Sequence, residues 1–221
     1  MPDDNEKKPA YVAASPRARR IAATRELVKE HQHAFATQEY PGETRRLRLC
    51  LTLFTLSITH AYSLVTLLGQ GIEDHGASAL ALMRPQVDAM LRGILFAMQE
   101  ETSDADVDRF FDDERMPERE VKGRRHTITL REMAAIATPH FEKMKIADPS
   151  VLQRVIDNSA THLHGFTHGG RAMVPLHAAD PSRVAFELND ESLDWLLRNS
   201  AMMSVVPWVL SNSLLGAPDL K

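Results

Sequence analysis

The stretch Ala77–Gln99, ASALALMRPQVDAMLRGILFAMQ, constrains this chain more than any other. Leu80, Met83, Val87, Leu91, Ile94 and Met98 recur at helical spacing, so one face of a helix must be buried. Arg84, Asp88 and Arg92 stand four apart on a neighbouring stripe. At about 100° per residue, Arg84 lies roughly 60° from the centre of the apolar face, and Arg92 roughly 140° from it. Arg84 is therefore expected half-buried, Asp88 at the border and Arg92 outside. A half-buried guanidinium demands a partner from elsewhere in the fold, because an unpaired buried charge is costly. Pro85 removes the bond to the Ala81 carbonyl and predicts a kink or a restart of the helix.

The rest of the chain reads as further helices. Residues 1–14 are expected as a flexible arm, and 15–221 as a single α-helical domain. Ser15-Pro16 is a helix start, serine capping and proline in the first turn. The helix to about Ala36 has only Ile21, Val28 and Phe35 for an apolar face. Thr44 opens a long segment to Leu68. LRLCLTLF alternates like a strand, yet Leu47, Cys50, Leu51, Phe54, Ile58, Ala61, Val65 and Leu68 keep helical spacing for too long to be a strand. Its interspersed threonines, serines and His60 predict a core helix rather than a membrane span.

Beyond the central helix, Thr102-Ser103-Asp104 begins a short acidic helix with Val107, Phe110 and Phe111 expected inward. Residues 115–127 read as a charged loop. Thr129 and Glu132 form a capping box for the next helix, which Pro139 is expected to divide or restart. Asp148-Pro149 opens another helix, running into LHGFTHGG. A small hairpin is expected near 172–188. Asn189 or Asp190 caps the last helix, which carries Leu193, Leu196, Leu197, Met203, Val206 and Leu210; Pro207 is expected to kink it. The sum is an all-α bundle of six or seven mostly antiparallel helices.

Composition narrows the function. A net charge of −4 denies the molecule any overall attraction for nucleic acid, so such binding needs a local patch. Arg45/Arg46/Arg48 and Lys122/Arg124/Arg125 are candidates, but the ten acidic residues from Glu100 to Glu120 oppose their field. The single cysteine, Cys50, excludes an internal disulfide framework and reads as a buried, inert thiol in a reducing cytoplasm. There is no glycine-rich phosphate loop, GxSxG elbow or zinc-finger spacing, so no cofactor is implied.

The chemistry-bearing residues fall in two places. His164 and His168 stand one turn apart if their helix survives Gly165, a spacing that suits two ligands of one metal. A protonated histidine at a helix end is also favoured by the dipole and suits a proton donor. Core or surface histidines are the plain alternative. Arg84, with Asp88 and Arg92, suits a phosphate or carboxylate, unless the row is only an i,i+4 ion-pair ladder. His60 and Tyr62 on the preceding helix are placed to face the same pocket.

LMRPQVDAMLR and LHGFTHGG together resemble uncharacterised bacterial helical domains in which an R-P-x-x-[DE]-x-x-x-R helix precedes an H-x-x-x-H-G-G segment. The resemblance spans about residues 45–215. More distantly, the chain is similar to the HEPN superfamily of helical bundles, many of them metal-independent ribonucleases of toxin–antitoxin and phage-defence systems, active as dimers. That signature sets an arginine, a polar residue and a histidine within about one turn. Here Arg154 stands eight residues before His162, so the resemblance implies that Arg84 supplies the cation in space.

The leading expectation is a helical module of a bacterial defence or toxin-type system that cleaves RNA without a metal. His168 would act as general acid and base, His164 would assist, and Arg84 would stabilise the phosphate. A homo-oligomer or helical protein partner is expected, and no membrane. One alternative is a non-enzymatic dimerisation or interaction module, with the surface around Met202 and Met203 as its first candidate. Another is a metal site of His164, His168 and either His60 or Asp88.

Overall fold

A computed structural model describes residues 14–40, 42–121, 123–144 and 186–215. The arm over 1–14 (apart from Ala14), the helix from Asp148-Pro149, and His162, His164 and His168 lie outside the described residues. So does the hairpin expected near 172–188, except Phe186–Leu188, which are neither helix nor strand.

The described elements are α1 (Pro16–Ala36), α2 (Arg45–Gln70), α3 (Ile72–Ala97), α4 (Asp104–Asp113), β1 (Glu118–Val121), β2 (Arg124–Thr127), α5 (Leu130–Met144) and α6 (Asp190–Leu214). They make an all-α bundle. α2 and α3 form its central hairpin, α1 and α6 pack against them, α5 lies on α3, and α4 lies on α2.

Local sequence explains where the helices begin. Ser15 accepts from the Ala18 amide, Thr44 from Leu47 and Asn189 from Ser192. Thr129 and Glu132 bond reciprocally, as a capping box requires. Gly71 alone joins α2 to α3. Its φ of 151° is a conformation that side chains rarely adopt, and it lets the chain fold back after one residue. Glu73 and Asp74 then complement the positive end of α3.

Packing departs from the sequence expectation in several places. The central helix spans Ile72–Ala97 rather than Ala77–Gln99, and it runs through Pro85 without a restart. Proline forgoes one bond, to Ala81, while residues on both sides are held in the core. α5 continues through Pro139, and α6 through Pro207. Residues 115–127 are not all loop. β1 and β2 form an antiparallel hairpin pairing Glu118 with Thr127 and Glu120 with Arg125, turned at Gly123 with φ 73°. The strands carry charges on both faces, so the alternation that marks a half-buried strand is missing. Phe111 is 38% exposed instead of inward, and the Arg45 guanidinium lies over its ring at 4.9 Å.

The basic group at the start of α2 is mostly used up by α4. Arg45 pairs with Asp108 at 2.7 Å and with Asp112 at 3.0 Å. Arg46 is buried. Its Nη1 donates to Phe96 O at 2.7 Å and Thr102 Oγ1 at 2.8 Å, and its Nη2 to Thr102 O at 2.8 Å. Nε and Nη2 both reach Asp104 Oδ1. Every donor of the guanidinium is engaged, and the end of α3 is clasped to the start of α4.

Candidate functional site

α3 determines what a site can be, because so little of it reaches the surface. From Met83 to Met98 only Arg84, Pro85, Asp88 and Arg92 are not fully buried. They form one half-buried stripe, as i, i+4 spacing dictates.

Within that stripe the ion pair is not the expected one. Asp88 Oδ2 meets Arg92 Nη2 at 2.8 Å, so the carboxylate fixes Arg92 and not Arg84. Nor does Arg92 lie outside. Its side chain is 33% exposed, and its guanidinium sits 5.9 Å from the Phe110 ring of α4. The helical wheel placed it correctly on α3; a neighbouring element covers it. Its Nε is buried without a hydrogen-bond partner. Arg84 is half-buried, as expected, but the partner that burial demands is missing among the described residues, where it makes no hydrogen bond or ion pair.

His60 and Tyr62 are half-buried on α2. Burial lowers the His60 pKa from its ordinary value of 6.5, so its imidazole is neutral at pH 7. No hydrogen bond or ion pair joins either residue to Arg84, Asp88 or Arg92 among the described residues. Among the described residues the structure thus brings Asp88 and Arg92 together and leaves Arg84, His60 and Tyr62 unlinked. His164 and His168 lie outside the described residues, and so does any meeting between them and Arg84.

Other polar groups cluster away from that stripe. Inside the bundle, Gln86 is fully buried. Its Nε2 donates to Ser200 O at 2.9 Å, its Oε1 accepts from Ser200 Oγ at 3.0 Å, and its carbonyl accepts from Ser57 Oγ at 3.0 Å. This satisfied network ties α2, α3 and α6 in register. The hint lay in phase: Ser57, Gln86 and Ser200 all fall on the apolar faces of their helices.

His31 and Ser204 make a histidine–serine contact of 2.8 Å. It is not a nucleophile pair. Ser204 is fully buried, and its hydroxyl donates to Ala201 O at 2.7 Å, so Nδ1–H of His31 must be the donor to it. Burial lowers the His31 pKa, against a smaller opposing effect of Glu30. His126 Nε2 lies 2.7 Å from Glu132 Oε1. The Glu132 pKa falls to about 2, first through the Thr129 amide and then through His126. That histidine is bound to a helix cap. Among the described residues no group of three or more histidine, cysteine or acidic side chains is gathered to hold a metal ion.

A cleft of about 880 Å³ opens at the end of the bundle where α2 turns into α3. Ile21, Ile72 and Phe186 line its floor, and Arg17, Arg25 and Asp74 its rim. None of Arg84, His60 or Tyr62 lines it. Arg17 is already paired with Asp190 at 2.6 Å.

A model of a family of unknown function, DUF6988, matches residues 54–221, more than half of the chain. The chain belongs to this family. The DUF6988 match takes in all of α3 with its stripe, and also the segment holding His164 and His168. It begins inside α2, so α1 and the Arg46 clasp residue lie before it. No curated protein and no solved structure matches the chain.

Proposed function

We propose that this DUF6988 protein is a helical module that binds a phosphodiester on the α3 stripe, with RNA as the polymer, and cleaves it without a metal. Arg84 is the observation that carries the reading. It is a half-buried cation with no paired carboxylate among the described residues, on the stripe that α3 leaves accessible between Met83 and Met98. A cation held partly out of water attracts an anion more strongly than a solvated one, and a guanidinium matches phosphate oxygens in pairs. Asp88 is already paired with Arg92, so that carboxylate does not compete with an anion for Arg84.

The chemistry rests on the resemblance to HEPN-type ribonucleases and on the sequence. Arg84 stabilises the charge that builds on the phosphate in the transition state. His168 serves as general acid and base, and His164 assists. A module of this kind suits a toxin-type or antiviral defence system.

The test is RNA incubated with the protein in the presence of a chelator. Cleavage is expected to persist with chelator, to disappear in His168→Ala, and to fall by about 10²–10³-fold in Arg84→Ala. Wild-type protein that leaves RNA intact and binds it no better than Arg84→Ala would remove the reading.

A further inference from the structure

α2 offers solvent a face that solvated helices rarely have. No Asp, Glu, Lys or Arg occurs from Leu49 to Ile72. The most apolar window of this helix reaches a mean hydropathy of 1.5, although only 44% of it is buried in the bundle. The outward residues Thr52, Thr55, Leu56 and Thr59 are exposed, Leu56 to 44%. With Arg48 and Leu51 they line a shallow groove of about 400 Å³. An outer face is normally charged, which keeps it in water.

Two features say what covers this face. The first is spacing. Thr52, Thr55, Thr59, Tyr62 and Thr66 are separated by alternating steps of three and four residues. That spacing keeps these residues on one line of the helix, which a partner helix can follow along its length. The second is charge. Exposed Arg48 marks one end of the face, and exposed Asp74 lies just past the other. Neither has an ion-pair partner among the described residues.

We propose that the occupant is a second copy of this chain, its α2 antiparallel to the first across a two-fold axis near Thr59. An isologous contact requires a patch complementary to itself, and opposite charges at opposite ends meet that requirement. The axis sets Thr59 against Thr59, Thr55 opposite Ser63 and Thr52 opposite Thr66. Arg48 falls opposite Gln70, 22 residues or about 33 Å along the helix, within an arginine's reach of Asp74. Leu56 is covered near the centre.

The experiment is sedimentation of the full chain across a concentration series. Wild-type protein is expected at twice the chain mass of 24.8 kDa. Thr59→Arg is expected to be monomeric with unchanged far-UV circular dichroism. Arg48→Glu and Asp74→Arg are each expected to raise the dissociation constant by about tenfold or more, and the double variant to restore it. The charge swap decides the matter even if Thr59→Arg fails to fold. A monomeric wild type overturns the proposal, as does a dimer indifferent to Thr59→Arg and to the charge swap. Flotation of a monomeric chain with phosphatidylcholine–phosphatidylserine vesicles, lost in Leu56→Glu, would also overturn it and assign the face to lipid.

Discussion

Replacing Arg46 with methionine is expected to cost stability through the carbonyls it abandons rather than through its ion pair. Methionine keeps much of the apolar stem and removes every donor. Phe96 O and Thr102 O then lose buried, charge-assisted bonds of 2.7 and 2.8 Å. A buried acceptor left without its donor costs about 1–3 kcal/mol, so the pair implies about 2–4 kcal/mol after partial relaxation. Thr102 Oγ1 keeps its bonds to Leu95 O and Met98 O and adds little. The ion pair contributes less than about 1 kcal/mol, because the Asp104 side chain is 90% exposed and screened. Arg46→Lys, with three donors and no planar fork, should fall between wild type and methionine. Urea unfolding followed by circular dichroism measures all three variants, with Asp104→Ala as the control. The reasoning fails if Arg46→Met lies within about 0.5 kcal/mol of wild type, or if Asp104→Ala costs as much as Arg46→Met.

Two further outcomes follow from packing and titration. A Cβ added at Gly93 would stand 2.5 Å from Phe54 Cε1, whereas one at Gly69 would meet only Ile21 Cγ2 at 3.7 Å. Gly93→Ala should therefore destabilise by about 1–3 kcal/mol, and Gly69→Ala should be neutral or stabilising, as read by thermal melts. His31 and His60 have folded-state pKa values below 6.5, mainly through burial, so below that pH the unfolded chain binds more protons than the native one. The contribution of these two histidines to stability should be fully present well above pH 6.5 and decline as pH falls through 6.5 toward the lowered folded values. The double variant His31→Gln/His60→Gln should flatten that slope in denaturant melts at pH 5–7, and an unchanged slope would refute the assignment.

Helix starts were legible because a cap is a local event. Ser15, Thr44, Ser103, Thr129 and Asn189 each bond an amide within three residues. The hairpin at 118–127 was not, since both faces are wet and only Gly123 marked it. The Arg46 clasp was half legible. Arg46 shares the inward phase of Cys50, Leu53 and Ser57 on α2, which separates it from exposed Arg45 and Arg48. Nothing in that phase names Phe96 and Thr102 as its acceptors. At the candidate site, the wheel foresaw the half-burial of Arg84. It missed the covering of Arg92, because Phe110 arrives from another helix.

The sequence by itself determined that this chain is helical, where the side-chain-capped helices among the described residues open, and which face of most of them turns inward. Those properties depend on a 3.6-residue period and on bonds spanning three or four residues. Tertiary structure alone decided which charges are spent and which are spare. Asp88 chose Arg92, Asp104 joined the clasp on Arg46, and Arg84 was left without an ion pair among the described residues. The reason is that an ion pair on a buried stripe depends on solvent exclusion and on the approach of residues distant in the chain, and no local pattern encodes either.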